Sequence, residues 1–210
     1  MVNHFKGENG YISFEKCISW MEVKGKDLFG SHFSISLGDY NLIFKLLVYI
    51  FKDKENADIL KINLRKGILL TGPVGCGKTS LMTLLRLFQS QETRFVLKSC
   101  REVSFEFIQE GYSVIHKYSK HSFGQHGPRA YCFDDLGTEN SLKYYGNDCN
   151  VMAEIMLSRY DLFVYQGMLT HITTNLNSSE IEGIYGLRVR SRMREMFNLI
   201  SFSTACSDKR

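Results

Sequence analysis

Residues 67–79 read GILLTGPVGCGKT, and this stretch decides the fold. Its first five residues form a short apolar run that is typical of a buried strand in a parallel sheet. Residues 72–79 then match the pattern G-x-x-x-x-G-K-[ST] of a phosphate-binding loop. Residues 78–89 have the apolar spacing of a helix. A strand, a glycine-rich loop and a helix in this order predict a nucleotide-binding α/β domain.

The fixed positions of this loop each have a reason in the chemistry of phosphate binding. Glycines allow successive backbone N–H groups to point at phosphate oxygens, and the following helix adds the positive end of its dipole. We expect Lys78 to reach the β- and γ-phosphates of ATP and the Thr79 hydroxyl to coordinate Mg²⁺. The residues expected to bind the nucleotide are Gly72, Pro73, Val74, Gly75, Cys76, Gly77, Lys78, Thr79 and Ser80.

A second apolar strand, residues 130–133, leads directly into Asp134 and Asp135. The carboxyl ends of parallel strands meet at one edge of a sheet, so we expect both carboxylates beside the phosphate loop. Asp134 is expected to hold Mg²⁺, directly or through water, and Asp135 to orient and polarise the attacking water. Two aspartates after a strand are also a common turn signal, but their place downstream of a phosphate loop favours the catalytic interpretation.

Asn175 follows the next predicted strand, residues 168–173. A polar side chain at this end of a strand is expected to point into the same crevice. There it would hydrogen-bond the water or the γ-phosphate and report whether that phosphate is present. The alternative is a plain turn or a helix N-cap, since asparagine favours both.

Four arginines alternate along the predicted helix 188–196: Arg188, Arg190, Arg192 and Arg194. Helical spacing places Arg188 and Arg192 on one face. An arginine suits the charge that develops on a transferring phosphoryl group, and a neighbouring subunit can supply it. Contact with a nucleic-acid backbone and a solvated basic face are the other two interpretations, and the residues alone leave all three open.

Strands and helices alternate along the rest of the chain. The predicted strands are residues 67–71, 95–97, 130–133, 168–173 and 199–202. The predicted helices are residues 40–54, 78–89, 102–118, 151–163, 179–185 and 188–196. An apolar stripe is expected along the fourth of these helices at Met152, Ile155, Met156 and Tyr160. This alternation predicts a parallel sheet covered by helices on both faces.

Composition restricts the class of protein. A chain of 210 residues suits one compact α/β domain, or such a core with an N-terminal appendage. The net charge of +4 permits contact with nucleic acid without requiring it. Six scattered cysteines without a C-x-x-C pair argue against structural zinc and disulfides, which fits the cytoplasm. No apolar run approaches the roughly 20 residues of a membrane-spanning helix, so we expect no membrane association through such a span.

Several segments, taken in order, resemble the AAA+ ATPases of the DnaC helicase-loader and IstB transposition-helper group. They are the loop GPVGCGKT, the strand YCFDD with the following LGTE, the helix AEIMLSRYDLF, the strand end TTN and the stretch YGLRVRSRM. The resemblance covers about residues 65–202. It implies a P-loop fold with a five-stranded parallel sheet in the order 5-1-4-3-2 and no C-terminal lid. It also implies ATP hydrolysis, head-to-tail homo-oligomers, and work on DNA with a helicase or transposase partner.

The resemblance also assigns roles to single residues. Lys78 and Thr79 match the Walker A pair, Asp134 and Asp135 the Walker B pair, and Asn175 the sensor-1 position. Arg192 matches the arginine finger that acts on a neighbouring subunit, and Arg188 is the second candidate. Many AAA+ enzymes have Glu where this chain has Asp135, although the loader group often shares the aspartate. The shorter side chain shifts the carboxylate, so we predict slow, switch-like hydrolysis.

Residues 1–64 are expected to form a helical, aromatic extension that packs on an ATPase domain of residues 65–210. This extension contains the single tryptophan, Trp20. Packing is favoured over partner docking because aromatic side chains are buried more often than they are interface hot spots. Two other functions remain: a small-molecule or nucleotide kinase on the same loop, and an ATP-dependent adaptor that does not hydrolyse ATP.

Overall fold

The computed structural model describes residues 4–7, 10–125, 127–139, 142–144, 147–203 and 208–209. The strands are β1 (His4–Gly7), β2 (Gly10–Ser13), β3 (Gly67–Thr71), β4 (Val96–Ser99), β5 (Phe123–Gly124), β6 (Gly127–Pro128), β7 (Tyr131–Leu136), β8 (Leu142–Tyr144), β9 (Asn147–Cys149), β10 (Thr170–Thr174) and β11 (Phe197–Ser201). The helices are α1 (Phe14–Phe29), α2 (Tyr40–Ile50), α3 (Lys54–Ile59), α4 (Lys78–Leu85), α5 (Cys100–Glu110), α6 (Ser113–Lys117), α7 (Val151–Gln166) and α8 (Ser178–Met196). Leu37–Asp39 and Arg86–Phe88 are short 3₁₀ turns.

The central feature is a five-stranded sheet in the order β11-β3-β10-β7-β4. The strand pairs β3–β10, β10–β7 and β7–β4 are parallel. Counted along the chain from β3 as strand 1, the order is 5-1-4-3-2, and the predicted fold class is confirmed. The pairs β1–β2, β5–β6 and β8–β9 are antiparallel ribbons outside this sheet, and the sequence did not predict them.

Two predicted helices are each divided in the structure. The predicted helix 102–118 is interrupted by Gly111, whose φ of 65° ends α5 before α6 begins. The predicted helix 40–54 ends at Ile50, and α3 starts separately because the Asp53 carboxylate accepts the Asn56 N–H at 3.2 Å as an N-cap. No helix within the described ranges is long and apolar enough to span a membrane.

The chain divides into two compact units. Unit 1 comprises Met1–Leu64, Pro73–Arg94 and Ile200–Arg210, as far as these segments are described, and unit 2 comprises Arg65–Gly72 and Phe95–Leu199. The predicted boundary between residues 64 and 65 stays a prediction.

Unit 1 is held together by aliphatic and aromatic packing among α1, α2 and α4. The Trp20 ring lies 4.6 Å from that of Phe88, and the Phe51 ring lies 5.5 Å from the same partner. Leu46 and Met82 are fully buried in this unit. Each buried side chain of this size contributes about 1.5–3 kcal/mol.

Unit 2 has a core on the sheet built from apolar residues of β7, β10, α5 and α7. Phe107, Phe133, Ile155 and Ile172 are completely buried there. His171 on β10 is also buried, and its Nδ1 accepts the Ile68 N–H at 3.1 Å. Burial lowers the pKa of His171 to about 3, so at neutral pH the imidazole is uncharged and carries its proton on Nε2.

Candidate nucleotide-binding site

The loop between β3 and α4 has the conformation that its glycines permit. Gly75 and Gly77 have φ values of 82° and 89°, in the left-handed region where a side chain is strained. Gly77 is the N-cap of α4, so the first N–H groups of that helix follow it directly. A helix N-terminus behind a glycine loop favours an anion, and the Asp208 carboxylate lies against Gly75 there.

Lys78 is only 6% exposed, although it is a lysine in the first turn of a helix. Its Nζ donates to the Pro73 carbonyl at 2.8 Å, and the Cys76 Sγ lies 3.9 Å away. The ammonium group is therefore folded back into its own loop. A phosphate placed there would offer it a stronger, charge-assisted partner than a neutral carbonyl.

A small cleft of about 30 Å³ lies beside this loop within unit 1. Its lining combines apolar side chains with one ion pair: Phe33, Ser34, Ile35, Asp39, Ile43, Cys76, Gly77, Leu81, Phe202 and Lys209. Lys209 pairs with the buried Asp39 carboxylate, and its backbone N–H donates to the Gly75 carbonyl at 3.1 Å. A cleft of this volume has room for about one or two water molecules.

In unit 2, Asp134 and Asp135 lie in a β-bulge of β7. Ile172 of β10 pairs with Phe133, but Thr174 pairs with Leu136, so β7 carries one extra residue there. Asp135 has a φ of 55°, which aspartate tolerates better than most residues. As a result the two carboxylates have different surroundings: Asp134 is buried at 7% exposure, whereas Asp135 is exposed.

Thr173 connects both members of this pair to β10. Its hydroxyl donates to Asp134 Oδ1 at 2.6 Å and accepts the Asp135 backbone N–H at 2.8 Å. One buried side chain thus fixes a carboxylate and the backbone of the residue next to it. Asn175, the predicted sensor, follows the end of β10 with an exposed side chain, and its role stays a prediction.

The four predicted arginines lie in the second half of α8, which Gly186 separates from the first half with a φ of 85°. Arg190 is engaged within its own chain, since it donates to Ser178 Oγ at 2.9 Å and pairs with Glu182. Arg188 and Arg194 are exposed. The Arg192 guanidinium carbon lies over the Tyr160 ring, 4.6 Å from its centroid. The predicted finger and its alternative, Arg188, therefore have different surroundings.

Known proteins were compared with the chain at the level of sequence and of structure. No protein-family profile and no curated protein sequence matches it. Among solved structures, the DnaC helicase loader is similar with a TM-score of 0.54 at 16% identity, over 80% of this chain and 92% of that one. The DnaI crystal structure is similar with a TM-score of 0.51 at 17% identity, over 69% of this chain and 73% of that one.

The replication initiator DnaA, bound to AMPPCP and single-stranded DNA, is similar with a TM-score of 0.50 at 14% identity. That match covers 81% of this chain and 48% of DnaA. The chain shares its fold with these helicase-loader and initiator structures. At these identities the likeness concerns the fold, so the roles of single residues depend on their own surroundings.

Sequence reasoning missed three residues that contact predicted site residues: Asp39 and Lys209 beside the loop in unit 1, and Thr173 beside the two aspartates in unit 2. Thr173 had a readable signal, because the period of 2 along a strand places it in phase with Asn175. Asp39 and Lys209 had none, since their pairing joins parts of the chain that are 170 residues apart.

Replacing Thr173 by valine is expected to lower about tenfold the ATP turnover that the sequence predicts, and to change the affinity for an ATP analogue less than about twofold. Valine keeps the shape but loses the hydroxyl's bonds to the Asp134 carboxylate and the Asp135 backbone, and misplacement of the predicted catalytic groups slows chemistry. The matched control is Thr174→Val, because the Thr174 hydroxyl donates to the Leu136 carbonyl at 2.7 Å and contacts neither carboxylate. Steady-state turnover and analogue titration check this prediction, and equal turnover in the two variants would contradict it.

Proposed function

We propose that this protein is an ATP-binding, slowly ATP-hydrolysing switch that works with DNA, of the helicase-loader or transposition-helper type. The observation that carries the proposal is the loop before α4, with left-handed Gly75 and Gly77 and a buried Lys78. A loop of this shape at a helix N-terminus suits the triphosphate of ATP. The cytoplasm is the proposed location.

The proposed roles in binding follow from the chemistry of each group. Backbone N–H groups of residues 75–79 would hold the phosphates, and Lys78 would exchange the Pro73 carbonyl for β- and γ-phosphate oxygens. Gly72, Val74 and Ser80 complete the loop and the first turn of α4. Because these phosphate contacts use backbone groups, they do not discriminate between bases.

The proposed ligands of a magnesium ion are the Thr79 hydroxyl and the Asp134 carboxylate, because Mg²⁺ prefers oxygen ligands. Thr79 lies in the first turn of α4, and the Asp134 carboxylate is oriented by Thr173. When bound, Mg²⁺ neutralises charge on the phosphates. The chain's own contribution is to orient the ligand, since the hydrogen bond from Thr173 fixes the direction of one Asp134 carboxylate oxygen.

Hydrolysis is proposed to use Asp135 and Asn175. Asp135 would orient the attacking water and accept its proton, and Asn175 would hydrogen-bond the water or the γ-phosphate. Asp135 is exposed and held by its backbone rather than by its side chain, through the Thr173 hydroxyl and the bulge. A base with a short, loosely held side chain is consistent with a slow switch and not with rapid turnover.

Arg192 is the proposed finger that completes the site of a second copy in a head-to-tail homo-oligomer, with Arg188 as the alternative. Arg190 is less suited because its guanidinium is already bonded to Ser178 and paired with Glu182 within its own chain. DNA, and a helicase or transposase, are the proposed partners. Support for DNA comes from the fold shared with DnaC and with DnaA bound to AMPPCP and single-stranded DNA.

Replacing Arg192 by alanine is expected to lower ATP turnover at least about tenfold while nucleotide binding is retained, because a finger stabilises charge that develops only in the transition state. Molar mass by light scattering and ATP turnover would be measured with and without single- or double-stranded DNA. The wild type is expected to assemble with an ATP analogue, and its turnover is expected to rise with DNA.

The matched control is Arg194→Ala, which removes an exposed arginine from the same helix and is expected to behave like the wild type. A protein that remains monomeric with ATP and does not respond to DNA would contradict the loader or helper function. Turnover that rises with an added nucleoside or small alcohol, and not with DNA, would favour the kinase instead.

A further inference from the structure

Arg192 differs from the other arginines of α8 in what holds it. Arg190 is held by a hydrogen bond to Ser178 and an ion pair with Glu182, whereas Arg192 lies over the face of an aromatic ring on α7. A guanidinium group carries its five N–H donors in its plane, so contact through its face leaves those donors available. The surroundings of Arg192 therefore restrain the side chain without occupying the groups that would bind an anion.

The ring that carries Arg192 is itself fixed. The Tyr160 hydroxyl donates to Glu195 Oε2 at 2.8 Å, so Tyr160 of α7 is tied to α8 one turn beyond Arg192. The hydrogen bond to Glu195 raises the pKa of Tyr160, which therefore remains a donor at neutral pH. Beneath this contact, Met156 of α7 and Met193 of α8 are buried in the core of unit 2. The ring position is thus set by packing and by one hydrogen bond.

An arginine that must reach a second copy of the chain loses rotamer freedom when it binds. An arginine side chain carries about 2 kcal/mol of rotamer entropy. A side chain that is already restrained loses less of this entropy when it binds. The contact with Tyr160 supplies such a restraint, and Arg188, which is exposed, has no corresponding ring contact among the described residues.

We propose that Tyr160 is a positioning residue for Arg192: its ring, fixed by Glu195, holds the guanidinium so that the N–H donors face the triphosphate bound by a second copy. This inference rests on the proposed function, because it requires Arg192 to act on a neighbour's nucleotide. Tyr160 itself contacts neither the nucleotide nor the attacking water in this proposal, and it acts only through Arg192.

Tyr160→Leu is expected to lower ATP turnover about fivefold, with the affinity for an ATP analogue and the thermal midpoint unchanged, because the ring contact is lost. Tyr160→Phe keeps the ring and loses the bond to Glu195, so it is expected to recover most of this turnover. The matched control is Tyr165→Leu, on the same helix, whose side chain is 84% exposed. This control is expected to match the wild type.

Mixing two variants separates positioning in trans from a general defect. Tyr160→Leu chains have an intact phosphate loop, and Asp135→Asn chains lack the proposed base but retain the phosphate loop, Tyr160 and Arg192. Mixed assemblies are expected to show more turnover per working site than Tyr160→Leu alone, because some working sites meet an unaltered finger. A chain that carries both substitutions has neither a working site nor a positioned finger, so mixing it with the wild type is expected to give no increase in turnover per working site over the wild type alone.

The outcomes distinguish failure of this inference from failure of the proposed function. If Arg192→Ala lowers turnover but Tyr160→Leu behaves like Tyr165→Leu, Tyr160 has no positioning role and the finger stands. A loss of thermal stability or nucleotide affinity in Tyr160→Leu, with no recovery on mixing, would show a structural role and overturn the inference. Unchanged turnover in Arg192→Ala would overturn the finger itself.

Discussion

Replacing Arg159 by methionine is expected to lower the free energy of unfolding by about 3–5 kcal/mol, the largest effect on stability that we expect from a single substitution. Arg159 is completely buried, and it makes four hydrogen bonds within unit 2. It donates to Thr170 Oγ1, the Tyr118 carbonyl and the Leu169 carbonyl, each at 2.7 Å, and to the Arg129 carbonyl at 3.2 Å.

The physical reason is that the acceptors remain when the donor is removed. Methionine fills a similar volume but donates nothing, so three buried or half-buried backbone carbonyls lose a hydrogen bond, and each loss costs about 1–3 kcal/mol. The guanidinium carbon also lies 5.5 Å and 5.7 Å from the ring centroids of Tyr131 and Phe133. Burial lowers the pKa of Arg159 to about 9, so the group is still charged at pH 7 and these ring contacts are those of a cation.

Equilibrium unfolding in urea measures this effect. The control is Arg101→Met, since Arg101 is an exposed arginine over the Phe105 ring, and it is expected to change stability by less than about 1 kcal/mol. Equal midpoints for the two variants would show that the Arg159 bonds contribute no more than a surface contact. Arg159→Lys is expected to fall between them, because lysine keeps the charge but lacks the planar fork.

The sequence predicted those parts of the fold that depend on local patterns. The strand, loop and helix from Gly67 to Leu85 were predicted because glycine conformation and phosphate chemistry act over neighbouring residues. The order 5-1-4-3-2 was predicted from the resemblance to a family rather than from physical pattern. The interruptions at Gly111 and Gly186 also have local causes, and of these only the second was read correctly from the sequence.

Features that depend on contacts between distant segments were not predicted. The bulge at Asp134 and Asp135 arises from the pairing of β7 with β10, and the sequence of one strand does not contain that register. The predicted stripe of α7 was right for Met152, Ile155 and Met156, which are buried. At its end Tyr160 is only partly buried against this core, whereas the neighbouring Arg159 is fully buried because Thr170 and three carbonyls from other segments satisfy its guanidinium.

Replacing Lys78 by methionine is expected to lower ATP turnover about 100- to 1,000-fold and to weaken nucleotide binding, the largest effect on activity that we expect. Lys78 is the buried cation of the phosphate loop, and its bond to the Pro73 carbonyl shows that its ammonium already lies within the loop. Methionine matches its length and removes the charge. Titration with a fluorescent ATP analogue and steady-state turnover measure the two effects separately.

Lys45→Met is the control, because Lys45 lies exposed on α2 and the same change of residue type there leaves the loop intact. A further readout separates lost binding from lost folding. A ligand at 100 times its dissociation constant stabilises the folded state by about 2.7 kcal/mol. The wild type and Lys45→Met are therefore expected to melt at a higher temperature with Mg²⁺ and ATP, while Lys78→Met melts at one temperature with and without them. Equal stabilisation of all three by ATP would mean that the nucleotide binds without this lysine, and the assignment of the loop from Gly72 to Thr79 would be wrong.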